Sequence, residues 1–221
     1  MKVVVVIPAF NEEKTIGNVV RETLCCADEV LVVNDGSSDR TLEVARNLGA
    51  RIVNLRINRG LGSAIRVGIK AALSREADII VTLDADGQHN PQDIKKIIEP
   101  IIKNEADIVI GSRMEEDGMP AKRRLANFVA NFVTFFLFGI WVKDSQSGFR
   151  AFEKHAAGLL DLKTNRMEVS SEIISEIKNK NFRLAEIPIK PVYTKYSMSK
   201  GQNFFVGIET AFKLFLRRLN K

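Results

Sequence analysis

Cysteine is scarce in this chain: 221 residues contain two, Cys25 and Cys26, side by side. Neighbouring thiols make no disulfide framework, and no histidine or second cysteine pair sits at metal-ligand spacing around them. Neither a disulfide-stapled scaffold nor a zinc site is expected. Low-complexity linkers and internal repeats are missing, which removes disordered and fibrous classes. A secretory leader is not expected either: the apolar run in MKVVVVIPAF covers about seven residues, with no small-residue cleavage site behind it. That run reads as the buried first strand of a cytosolic protein. The segment Arg59-Gly60-Leu61-Gly62-Ser63-Ala64 suggests a phosphate loop, yet it lacks the third glycine of a dinucleotide fingerprint and the Gly-Lys-Ser/Thr of a P-loop. A nicotinamide dehydrogenase and a P-loop NTPase are set aside on that ground.

What is present is the composition of one globular domain: 45% hydrophobic and 27% charged residues, with a net charge of +6 from 33 Lys+Arg against 27 Asp+Glu. Such a chain buries roughly 70% of its unfolded surface and folds without metal or disulfide. The positive balance suits nucleic acid, an anionic membrane or a phosphate-bearing substrate alike, so the placement of the charges has to decide.

β-Branched runs without period-2 alternation, at residues 2–8, 29–34, 78–83 and 107–111, have the pattern of parallel strands covered on both faces. Between them apolar residues recur at helical spacing: Ile16, Val19, Val20 and Leu24, then Leu42, Val44, Ala45 and Leu48, then Ile94, Ile97, Ile98 and Ile101. Ser38 and Pro91 stand at expected helix starts and Gly49 at an expected helix end. With a further strand near 51–55, this order predicts a doubly wound α/β sheet flanked by helices. Past residue 112 come a polar loop, a long apolar helix, a second helix, a strand near 183–189 and an amphipathic tail. These read as a C-terminal extension on the same core.

Open α/β sheets bind ligands beyond the carboxyl ends of their strands, so the polar residues after each apolar run are candidates. The first strand leads into Pro8-Ala9-Phe10-Asn11-Glu12, the second into Asn34-Asp35-Gly36-Ser37-Ser38-Asp39, and a later one into Asp84-Ala85-Asp86-Gly87-Gln88-His89. If the chain stays extended, Asp84 and Asp86 leave the same face, where a hard cation such as Mg²⁺ or Mn²⁺ bridges one or both. The bland alternative is a turn with an aspartate cap. Gln88 adds an amide oxygen to the ion or bonds the substrate, and His89 reads as a loop residue. The Asn34-to-Asp39 segment caps a helix, and Asp35 is left free to accept from a base or ribose.

Together these segments resemble the family-2 inverting glycosyltransferases, and within them the polyprenyl-phosphate sugar transferases of the dolichyl-phosphate mannose synthase type. The likeness continues through Gly111-Ser112-Arg113, Asp144-Ser145-Gln146-Ser147-Gly148-Phe149-Arg150, Glu186-Ile187-Pro188-Ile189 and Ser199-Lys200. It implies a GT-A fold, a doubly wound mixed sheet with C-terminal amphipathic helices, in one domain. Residues 1–112 would form its nucleotide-sugar half and 113–221 its acceptor and membrane-interface half. The resemblance also implies a nucleotide-sugar donor, with mannose favoured, and a divalent ion held by Asp84, Asp86 and Gln88. Pro8, Phe10, Glu12, Val33 and Asp35 would line base and ribose, while Asp84, Ala85, Asp86, Gln88 and Arg113 would meet ribose, metal and phosphates.

The acceptor implied is dolichyl or polyprenyl phosphate. Arg123, Asn127 and Asn131 repeat at every fourth position and share one helix face, with Thr134 continuing the stripe. In the family an Arg and a small polar residue at the positions of Arg123 and Asn127 meet the lipid phosphate, although Asn127 stands where Ser is more usual. The greasy run Phe128–Val142, about fifteen residues, is too short to span a bilayer. It is either a buried core helix or, with Lys122, Arg123 and Arg124 at its start and Trp141 at its end, a helix lying in a membrane interface. The tail repeats that pattern, so an anionic membrane surface is the expected partner, with room for a separate anchoring protein. Nucleic acid is not, because no helix-turn-helix, zinc-finger or RNA-binding signature accompanies the charge.

The chemistry implied is inverting transfer with an already ionised phosphate as nucleophile, needing no general base. Asp86, Arg113, Arg123 and Lys200 are its candidate catalytic groups, Lys200 lying in an acceptor loop at 195–203 and also facing the diphosphate. Asp144 bonds the sugar or orders Arg150. The competing readings are a soluble transferase using UDP-glucose or UDP-N-acetylglucosamine with a hydroxyl acceptor, and a non-catalytic nucleotide-sugar-binding module.

Overall fold

A computed structural model describes residues 1–114 and 121–192 of the chain, the side chains of residues 121–123 and 126 excepted. Lys200 and the rest of the expected acceptor loop and amphipathic tail lie outside the described residues. Seven strands form one sheet: β1 (Val3–Ala9), β2 (Glu29–Asp35), β3 (Arg51–Leu55), β4 (Ile79–Thr82), β5 (Ile108–Ser112), β6 (Arg150–Glu153) and β7 (Leu184–Pro188). Their spatial order is β3-β2-β1-β4-β6-β5-β7. β1 is paired in parallel with β2 and with β4, and β6 runs antiparallel between β4 and β5. The sheet is therefore mixed, and the expected strands all fall within it. β6 is an addition that the sequence pattern did not mark.

Helices α1 (Ile16–Leu24), α2 (Thr41–Asn47), α3 (Leu61–Ser74), α4 (Ile94–Ile102), α5 (Ala121–Phe138), α6 (Lys154–Leu159) and α7 (Val169–Asn179) cover the sheet. Alternate residues of β1 feed two cores: Val3, Val5 and Ile7 pack with Ile16, Val20, Ile94 and Ile97, while Val4 and Val6 pack with Ile65, Ile69, Ile173 and Ile174. Burial on both faces is what makes the central strands read as continuous β-branched runs. α3 sits tight on the sheet at Gly68, where a Cβ would overlap the side chain of Val6.

Two local expectations are corrected. α2 starts at Thr41 rather than Ser38, because the Asp39 carboxylate accepts from Thr41 N–H at 2.9 Å and the chain between is used elsewhere: Ser38 N–H donates to Asn11 Oδ1 at 2.9 Å. The apolar run does not continue as one helix to Val142. α5 ends at Phe138, where Gly139 takes the left-handed conformation (φ 68°) and its N–H returns to the Phe135 carbonyl at 2.7 Å. Val142 then turns into the core, 1% exposed.

Candidate active site

The parallel strands β1, β2 and β4 end on the same edge of the sheet, and their following loops interlock. Asn11 N–H donates to Ser37 Oγ at 3.0 Å, Glu12 N–H to Thr41 Oγ1 at 2.7 Å, and Glu13 N–H to Asp39 Oδ2 at 3.1 Å. Phe10 stands exposed beside this junction. Pro8, Val33 and Ala85, by contrast, are buried, and Val33 and Ala85 belong to the two cores. Val33 packs where α3 approaches the sheet at Gly68.

Asp35 is buried, and both its oxygens are engaged: Oδ1 accepts from Arg59 N–H at 2.8 Å and Oδ2 from Gly60 N–H at 2.7 Å. The carboxylate expected to be free for a base instead ties β2 to the loop before α3. The start of α3 is itself closed. Ser63 N–H donates to the Asn165 carbonyl at 3.2 Å, and a Cβ on Gly62 would collide with the Thr164 carbonyl. Backbone carbonyls occupy the place a phosphate would take, so the glycines serve close packing.

The carboxylate pair lies beyond β4. The chain does not stay extended there but turns at Ala85–Asp86, with Gly87 at φ 74°. Asp86 accepts from Gln88 N–H at 2.9 Å and from the Gln88 side-chain amide. Burial and the neighbouring Asp84 carboxylate push the Asp86 pKa above the ordinary range, with Glu12 adding to the same negative field. Asp84 goes the other way. Burial alone would raise it, but the hydrogen bond with His89 and the positive field of His89, Arg113 and Arg150 outweigh that and lower it. Its carboxylate is seated against Gly148, where a Cβ would overlap both oxygens. His89 is therefore no plain loop residue: it is 3% exposed, with Nε2 at 3.1 Å from Asp84 Oδ2. A histidine five positions after Asp84 was the only sequence signal for it.

This donor set fits a hard divalent cation. It offers two carboxylates in mutual repulsion and an amide, all oxygen donors, with no thiolate among them. Among the described residues no group of three or more His, Cys, Asp and Glu side chains is placed to hold a metal ion. The remainder of the coordination shell of a Mg²⁺ or Mn²⁺ ion would come from water and substrate phosphate, which is how these ions ordinarily bind.

On the β5 side, Arg113 is forked onto Asp144: Nε to Oδ2 at 2.8 Å, Nη2 to Oδ1 at 2.9 Å, with Arg113 N–H also on Oδ2 at 3.1 Å. Asp144 is fully buried and takes a fourth bond from Asn127 Nδ2 at 3.2 Å. It thus orders Arg113 and not Arg150, whose Nη2 donates to the Ser145 carbonyl at 2.8 Å. Arg150 is buried, and desolvation brings its pKa down to about 10, helped by Arg113 and opposed by Asp144 and Asp84. It remains a cation at neutral pH. Glu186 on β7 holds the loop from outside, its Oε1 accepting from Lys143 N–H at 2.8 Å and Asp144 N–H at 3.3 Å, and burial raises its pKa.

α5 forms the remaining wall with its polar stripe turned inward. Asn131 Oδ1 accepts from Ser145 Oγ at 2.7 Å, and Asn131 and Thr134 are buried. Leu125, Phe128, Phe132, Phe135, Phe136 and Trp141 are exposed, Phe136 at 75%, and Trp141 meets Phe128 and Phe135 edge to face. Arg123 lies within α5, but its side chain is not among the described ones.

Residues 4–158 match the family described as Glycosyl transferase family 2. A UDP-N-acetylglucosamine–dolichyl-phosphate N-acetylglucosaminyltransferase of Methanococcus voltae is 38% identical over 98% of this chain and 96% of its own length. A dolichol-phosphate mannosyltransferase of Pyrococcus furiosus is 34% identical over 85% of this chain and 56% of its own. Among solved structures, glucosyl-3-phosphoglycerate synthase from Mycobacterium tuberculosis, in complex with Mn²⁺, UDP and phosphoglyceric acid, superposes with a TM-score of 0.77 over 99% of this chain and 78% of that one, at 19% identity. That likeness speaks to the fold.

Proposed function

The chain belongs to glycosyl transferase family 2 and is a glycosyltransferase with the GT-A fold, and from that premise we propose that it transfers a sugar from a nucleoside diphosphate to dolichyl or polyprenyl phosphate with inversion. The observation that carries the lipid acceptor is the inverted α5, whose Asn127 reaches Asp144 inside the site while its phenylalanines face outward. A helix so arranged suits a site opening at a bilayer surface, with the aromatic face in the interface and the polar face toward the phosphate.

UDP-N-acetylglucosamine stands first as donor, because the relative named for it aligns over nearly all of both chains. GDP-mannose, the donor favoured by resemblance, is the second reading, supported by the relative named for mannosyl transfer. Transfer assayed from each to dolichyl phosphate, with Mn²⁺ present, is expected to give a lipid-linked sugar phosphodiester from one donor. Transfer to a soluble hydroxyl without lipid phosphate would reject the proposal.

In the reaction a lipid phosphate oxygen bonds to the anomeric carbon as the bond to the nucleoside diphosphate breaks, on opposite faces of the sugar. The nucleophile is already ionised, so the protein's part is to place it and to balance charge on the leaving group. Asp84, Asp86 and Gln88 would hold a Mg²⁺ or Mn²⁺ ion, which supplies neutralisation of the diphosphate when bound. Arg113, aimed by Asp144, presents its guanidinium at the end of β5, and Arg123 and Lys200 are assigned to acceptor and donor phosphates. The ion pair keeps the Arg113 plane fixed, so little reorganisation is needed as charge develops.

No helix among the described residues is long and apolar enough to cross a membrane. Peripheral attachment through α5 on the cytoplasmic face, alone or with an anchoring partner, is the proposed location. Phe136→Glu is expected to weaken flotation with anionic vesicles about tenfold or more, the value of one aromatic side chain withdrawn from lipid, with its melting midpoint unchanged. Equal flotation of variant and wild type would remove α5 from the membrane contact.

A further inference from the structure

We propose that His89 is a positioning residue for the cation site: its imidazole fixes the Asp84 carboxylate in place before an ion arrives. The inference rests on the reading of Asp84 as an ion ligand. Asp84 is contacted by two rigid neighbours. The imidazole Nε2 lies 3.1 Å from Oδ2, and Gly148 closes against both oxygens so tightly that no Cβ fits. Both neighbours are anchored in turn. The His89 ring packs on the fully buried Phe149 with centroids 5.3 Å apart, and the Gly148 carbonyl accepts from Thr82 Oγ1 at 2.8 Å. The carboxylate is left little freedom to rotate away.

His89 carries an oddity that packing does not explain. Its Nδ1 is buried with no hydrogen-bond partner among the described residues. An apolar side chain of similar size would fill the same space without leaving a buried polar atom unmet, which ordinarily destabilises. The bond to Asp84 accounts for the imidazole. The ring meets the carboxylate through its Nε2 edge. The same geometry excludes His89 as a direct metal ligand, since one nitrogen is engaged by Asp84 and the other is sealed in the core. Partners that orient metal-binding side chains in this way commonly influence affinity as strongly as some ligands do.

The test is a Mn²⁺ titration of wild type, His89→Leu, His89→Gln and Asp84→Ala, with UDP and with GDP in parallel. It follows the electron-spin signal of free Mn²⁺, with thermal midpoints of the ion-free proteins beside it. His89→Leu is expected to weaken Mn²⁺ binding about 10–100-fold. His89→Gln, whose amide can still donate to the carboxylate, recovers part of the affinity. If the His89→Leu titration superposes on wild type while Asp84→Ala loses the ion, the positioning role is wrong and the cation site stands. If Leu and Gln lose affinity equally and both melt earlier, His89 is a packing residue and the proposal fails. Wild-type binding by Asp84→Ala would instead overturn the cation-site reading itself.

Discussion

Asp86→Ala is expected to lower sugar transfer by about 10²–10³-fold, the usual consequence of removing one preorganised electrostatic group from a transferase centre, while the ion-free protein melts no earlier than wild type. The two halves of this result share one cause. Burial, and after it the repulsion of the neighbouring Asp84 carboxylate, hold the Asp86 pKa up. Removing one carboxylate relieves its burial and that repulsion, which offsets the loss of the hydrogen bonds Asp86 accepts from Gln88. The same removal takes away half of the paired negative charge that would draw a divalent cation to the end of β4. Asp86→Asn sharpens the test: its side-chain oxygen can still accept from Gln88 N–H, which preserves the turn, but the charge is gone. Parallel kinetics of the two variants at saturating Mn²⁺ separate loop geometry from charge. Full transfer activity in Asp86→Ala with metal present would show that the mechanism does not run through this site.

Asp144 is expected to behave oppositely, with stability as the first casualty. Its carboxylate is fully buried and receives four hydrogen bonds, three from Arg113 and one from Asn127. Arg150 lies close enough to feel its charge. Asp144→Ala leaves the Arg113 guanidinium without its carboxylate and costs about 3–5 kcal/mol, the range for breaking a buried pair from one side. For a chain of this size that lowers the melting midpoint by roughly 6–20 °C. Asp144→Asn preserves the shape and part of the hydrogen bonding but not the charge, so it falls between alanine and wild type. Transfer falls in both, because Arg113 is no longer held in plane. Differential scanning calorimetry of the three proteins decides the matter, and an Asp144→Asn midpoint coincident with wild type would show that the pair contributes no net stability.

The contrast between these two aspartates also marks how far local pattern reaches. The place of Asp84, Asp86 and Gln88 beyond a strand end was readable because they follow a buried strand directly, and strand ends are where such sheets bind ligands. The role of Asp144 was open between a sugar contact and Arg150, because its partner Arg113 lies 31 positions away and no periodicity links a loop to a strand end so distant. Asp35 shows the same limit. Its place at the end of β2 was legible, but its two backbone partners at Arg59 and Gly60 are brought to it by the packing of α3.

The sequence by itself determined the alternation of strands and helices, the cluster of polar residues at one edge, and the existence of two unlike faces on α5. These follow from local chemistry: β-branched runs suit strands buried on both sides, and a fourfold spacing of Asn127 and Asn131 defines a stripe in any helix. Tertiary structure decided the rest. β6 is a strand because β4 and β5 flank it, although its four residues include a buried arginine. Likewise, the polar face of α5 turns inward because Asp144, Ser145 and Ser171 wait there to bond it, leaving the phenylalanines outside. A helix pattern specifies that two faces differ, and only the neighbours it meets can choose which one is buried.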